Sequence, residues 1–126
     1  MTAFASQVAD CLGRYRQGDR EGAFFGLVET DHAVLPDLMA AFRTESDSRV
    51  RAFLVEVIWQ HRQQSVIQFL GEALHDSEPV VWRQALDGLV TLASPAALEV
   101  LRSARQSGTD EFRSWLAEAE KQIINA

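Results

Sequence analysis

Cysteine and lysine each occur once in this chain, proline three times, and no apolar run approaches the length of a membrane span. The lone Cys11 excludes an intramolecular disulfide framework and fits a reducing interior, so a cytoplasmic location is expected. The first residues, Met-Thr-Ala-Phe-Ala-Ser-Gln, carry no positively charged leader and no long apolar segment, so no secretion signal is expected. Glycines are scattered, which leaves no phosphate-cradling loop, and neither a Gly-x-Ser-x-Gly elbow nor a His-Glu-x-x-His pair occurs. His32, His61 and His75 fall near the ends of three different helices, none with a second His or Cys three to five residues away. His75-Asp76 is the nearest approach to a ligand pair. No catalytic, cofactor-binding or metal-binding residue is therefore expected, and each histidine reads as a helix-end residue.

Positive charge is the remaining scarcity. A net charge of −6 argues against nucleic acid and anionic membranes, whose recognition needs clustered cations. It permits a basic protein partner. Cys11 shares an apolar stripe with Phe4, Val8 and Tyr15, which places it in a core.

What the chain has in quantity is apolar residues, 47% of 126, arranged at helical spacing. The stretch Asp76–Leu101 reads as one helix–turn–helix unit. Pro79 and Pro95 suit first helical turns, where a missing N–H costs little. Asp76 or Ser77 is expected to cap the first of these helices, and Ser94 the second. Val81, Ala85, Leu89 and Leu92 stripe one, and Ala97, Leu98 and Leu101 the other. Val50-Arg51, Trp82-Arg83 and Phe112-Arg113 then repeat at intervals of 32 and 30 residues, with Leu54, Leu86 and Leu116 three positions after each arginine. Val57, Leu89 and Ala119 follow three further on. Leu35, Val66 and Ala97 form an interleaved series at a spacing of 31, as do Leu38, Phe69 and Val100, then Met39, Leu70 and Leu101. Arg20, Ala23 and Gly26 make a weaker first copy.

Eight helices are predicted: about Ala3–Gln17, Arg20–Thr30, Leu35–Arg43, Ser48–Arg62, Ser65–His75, two beginning at Pro79 and Pro95, and Asp110–Asn125. Ser46 or Asp47 opens the fourth and Thr109 caps the last. No strand alternation competes with this reading. One helix pair cannot bury its apolar face alone, so neighbouring pairs must cover it.

The element Asp47-Ser-Arg-Val-Arg-Ala-Phe-Leu54, in short helix pairs of period near thirty, resembles bacterial HEAT-like (PBS-lyase-type) repeats. The resemblance covers roughly Arg20 to the C-terminus. The chain departs from the family pattern in its second copy, where Pro79 replaces the expected acid, and in its degenerate first copy. The resemblance implies an all-α, short right-handed α-solenoid, armadillo-like in its layering, with one concave face made by the second helices. As a domain it spans 1–126, with 1–18 as an N-terminal capping helix and 109–126 as a C-terminal one. Arg51 and Arg83 are then expected to pair with acids or carbonyls of adjacent repeats, such as Asp47 or Asp76. Trp59, Trp82 and Trp115 are expected to pack in the core or between repeats.

Function follows by elimination. A repeat without a convergent catalytic set reads as a non-enzymatic module that binds another protein on its polar-to-acidic concave face. Asp37, Gln68 and Glu99 are equivalent at the repeat spacing and form an expected polar stripe, joined by Glu72 and Arg102 on the same helices and by Asp31 and Asp76 on the loop rim. The segment Ala85–Leu98 also resembles short bacterial HEAT-like proteins found near toxins, which implies an immunity or antitoxin-like role. The third reading is a lyase-like accessory holding a prosthetic group.

Overall fold

Prolines at first helical turns and short oxygen-bearing side chains before them cut the chain into short helices. The computed structural model, which describes residues 4–126, has eight α-helices among those residues. They are α1 (Ala5–Arg16), α2 (Arg20–Val28), α3 (Leu35–Thr44), α4 (Ser48–Gln60), α5 (Ile67–Ala73), α6 (Pro79–Leu92), α7 (Pro95–Ser103) and α8 (Asp110–Ile124). Single 3-10 turns, His32–Val34 and Gln64–Val66, lead into α3 and α5, so the fifth helix starts later than its pattern predicts. The expected start of the first helix at Ala3 lies outside the described residues. No described helix is long and apolar enough to cross a membrane.

Helix starts follow the capping chemistry. Asp47 accepts the Arg49 N–H, Ser94 that of Ala97, and Thr109 that of Phe112. The sixth helix departs from expectation: neither Asp76 nor Ser77 caps it. Its N-cap is Glu78, which makes no side-chain cap bond, and Pro79 relieves the loss because it has no N–H to satisfy. Asp76 is engaged elsewhere. Gly18, at φ 97°, ends α1 in the left-handed region that a side chain disfavours.

The helices stack in two layers. α2, α4, α6 and α8 lie side by side in one; α1, α3, α5 and α7 form the other, each packed on the helix that follows it. In the second layer α3 meets α5 through an edge-to-face pair, Phe42 on Phe69, centroids 5.1 Å apart. The periodic positions are the core: Val50, Trp82 and Phe112, then Leu54, Leu86 and Leu116, then Val57, Leu89 and Ala119 are all buried. So are Leu35, Val66 and Ala97 on the alternate helices. Cys11 is buried as its stripe requires, and that burial pushes its thiol pKa up. Trp59 is buried with its indole N–H donated to Gln84 Oε1 at 2.8 Å; Trp82 packs edge-on against Phe112. Trp115 is 44% exposed, yet one edge lies against Trp82 of the neighbouring unit.

The repeat arginines divide into two kinds. Arg51 and Arg113 each donate Nη1 to a carbonyl five residues back, Ser46 at 2.8 Å and Gly108 at 2.9 Å, fixing the turn before their own helix. Arg20 and Arg83 reach forward instead. Arg20 sits 5.6 Å from the Phe53 ring and Arg83 5.0 Å from the Trp115 ring, and each donates to an acid of that next helix, Glu56 or Glu111, at 2.6 Å. Phe53 and Trp115 both stand two residues beyond a repeat arginine. At the matching place in α6 stands Ala85, which offers no ring to Arg51. Arg51 pairs with Asp76 instead, Nε to Oδ2 at 3.0 Å and Nη2 to Oδ1 at 3.3 Å.

Candidate functional site

The second-helix layer carries a shallow trough across α3, α5 and α7. Gln68 and Glu72, four residues apart on α5, belong to both of its halves. Between α5 and α7 the trough is about 470 Å³, walled by Gln68, Glu72 and His75 on one side and Glu99 and Ser103 on the other. Its floor is Gly71 against Val100: a Cβ on Gly71 would stand 3.1 Å from Val100 Cγ1, so the missing side chain lets α7 approach closely. Between α3 and α5 the trough is about 320 Å³, and Met39, Arg43, Ser65 and Phe69 complete its lining.

Its electrostatics are uneven. Arg43 clamps Glu72 with two parallel bonds, Nε to Oε2 and Nη2 to Oε1, both 2.9 Å. That clamp holds the Glu72 carboxyl below, and the Arg43 guanidinium above, their ordinary pKa ranges. Glu99 has no ion pair among the described residues. The α7 wall therefore presents an uncompensated carboxylate to whatever enters.

Of the seven residues read from the sequence as a recognition surface, the trough brings together Gln68, Glu72 and Glu99. Asp37 does not face outward. It is 8% exposed, and its Oδ2 accepts the Phe4 N–H at the head of α1 at 3.1 Å. The repeat spacing equates Asp37 with Gln68, but α1 lies against α3 and covers this position. Arg102 is turned the other way, 3.7 Å from Glu120 of α8, whose buried carboxylate Arg105 also grips at 2.6 and 3.1 Å. Asp76 is consumed by Arg51 and by the Glu78 N–H. Asp31 caps the turn before α3 through the Ala33 N–H.

Reading each histidine alone misses one pairing. His32 and His61, 29 residues apart and so close to one repeat, meet with their Nδ1 atoms 2.9 Å apart. That near-period spacing was the available signal. Among the described residues no three His, Cys, Asp or Glu side chains converge as a metal ion would require.

Compared with models of protein families, residues 35–120 match one described as HEAT repeats. No curated protein and no solved structure compared with the chain matches it.

Proposed function

The chain belongs to the HEAT-repeat family, and we propose that it is a non-enzymatic binding module whose trough across α3, α5 and α7 takes a basic polypeptide segment. Repeats of this family generally mediate protein–protein interaction. One observation carries the choice of face and partner: Gln68, Glu72 and Glu99 line one groove, and its carboxylates outnumber its guanidinium. A lysine or arginine of the partner lies against Glu99, a small apolar side chain rests over Gly71 and Val100, and Gln68 bonds the partner's backbone. Affinity comes from the apolar floor and the fit; the carboxylates steer approach and reject acidic competitors.

The test pairs identification with perturbation. A photo-crosslinker at Ser103 reports which segment occupies the trough, and Gln68→Lys with Glu99→Lys reverses its charge. The expected result is a crosslink to a Lys/Arg-bearing segment, and affinity for that same segment at least tenfold weaker in the double variant at low salt. Undiminished binding by the charge-reversed protein, or a crosslink to an acidic segment, would overturn the reading.

A further inference from the structure

We propose that His32 and His61 form an acid-released latch that ties the α2–α3 turn to the α4–α5 turn and so holds the starts of α3 and α5 together. His61 ends α4 and is 5% exposed. Its Nε2 lies 3.0 Å from the Leu27 carbonyl, which can only accept, so that nitrogen carries the proton and Nδ1 carries a lone pair. His32 Nδ1 is 2.9 Å from that lone pair and donates to it. The Gln63 amide completes the arrangement, donating to His32 Nε2 and to the His61 carbonyl, each at 3.2 Å. Every polar atom of the two rings then has a partner with both rings neutral.

Stacking of the units brings the two turns, one repeat apart, side by side, and the imidazole pair ties them. The 3-10 turn that contains His32 runs directly into α3 and the turn Gln64–Val66 directly into α5, the two helices that wall the first half of the trough. Arg62 between them holds the left-handed conformation at φ 55°, which brings Gln63 back over the pair.

Protons affect the two rings differently. A proton on Nε2 of His32, the exposed ring, requires only a turn of the Gln63 amide, and the Nδ1–H still donates to His61. A proton on His61 must add to Nδ1, where it points at the His32 N–H. The hydrogen bond is then a repulsion inside a buried site. The charged and titratable groups acting on His61 are His32 and Asp31, both from the α2–α3 turn; α2 supplies the Leu27 carbonyl. Burial is the largest influence and lowers the His61 pKa, the Leu27 bond raises it, His32 lowers it and Asp31 raises it. A lowered native pKa means that the unfolded or opened chain binds the proton more tightly. Latching is thus complete above the ordinary histidine value of 6.5 and is lost progressively as pH falls below it.

The latch is read in the free protein, so its test is independent of the binding reading; only its effect on the trough rests on that reading. Nitrogen-15 NMR of the imidazoles, combined with amide exchange corrected for intrinsic rate, follows the pair from pH 8 to pH 5. At pH 8 His61 should show the Nε2–H tautomer. As His61 titrates, protection at residues 29–34 and 61–66 should fall together, by up to about tenfold per pH unit, while α7 and α8 keep theirs. The exposed variant His32→Asn, which has no ring to oppose the His61 proton, should move the His61 titration toward 6.5 and let the two turns exchange independently at pH 8. Titration of His61 at or above 6.5, or turns that stay protected while it titrates, would overturn the latch.

Discussion

The Trp59 indole of α4 lies so close to Gly88 of α6 that a Cβ on Gly88 would come within 2.7 Å of the ring. Two neighbouring units therefore interlock at a position where only a hydrogen fits. Gly88→Ala sets two effects against each other. Helix propensity favours alanine by about 0.5–1 kcal/mol, whereas forcing a methyl into the indole costs about 1–3 kcal/mol. The expected net is a lower urea midpoint. Gly13 of α1 is the control, since a Cβ there meets nothing within 4 Å. Gly13→Ala should raise the midpoint. Equal shifts in both variants would show that the interlock is absent.

Arg51 and Arg43 each join consecutive repeats by a paired contact with a carboxylate, but at different depths. Arg51 and Asp76 are 16% and 12% exposed in their side chains, and Arg51 also holds two turn carbonyls. Arg51→Ala leaves all three acceptors without it, and a loss of about 2–3 kcal/mol is expected. Arg43 and Glu72 stand about half in water. Arg43→Ala should cost less than about 1 kcal/mol. Because Arg43 lowers the Glu72 pKa, that small contribution is present above about pH 4.5 and fades as pH falls through the lower native value. Denaturant titrations at pH 7 and pH 3.5 separate the two cases; a larger loss for Arg43→Ala than for Arg51→Ala would contradict them.

Asp37 and Gln68 occupy equivalent places in the repeat and should respond very unequally to lysine. Asp37→Lys buries a cation and removes the acceptor for the Phe4 N–H, which should cost at least about 3 kcal/mol. Gln68→Lys should change stability by no more than about 0.5 kcal/mol. Thermal unfolding of the two variants is sufficient. This asymmetry makes Gln68 with Glu99 the sound pair for probing the trough, since a charge reversal at Asp37 would confuse lost binding with lost structure.

Much of the fold was legible because burial here is periodic. Leu54, Leu86 and Leu116 recur at nearly one spacing because each repeat presents the same face to the same kind of neighbour, and that recurrence survives in the amino-acid order. Of the trough, Gln68 and Glu99 could be read in the same way, and Glu72 from the outward face of the helix it shares with Gln68. His75, Ser103 and the Gly71–Val100 floor could not, since nothing in their spacing marks two helices approaching where one lacks a Cβ.

The order of residues alone determined the repeated apolar positions that face inward, most helix starts, and that units must stack, because these depend on local propensity and a repeated apolar pattern. Tertiary structure decided the partners. Asp37 is covered since α1 lies over α3; Arg51 chooses Asp76 since Ala85 offers no ring; His32 finds His61 since two turns one repeat apart come to lie side by side. A period makes positions equivalent, whereas the contacts at each depend on what its particular neighbour supplies.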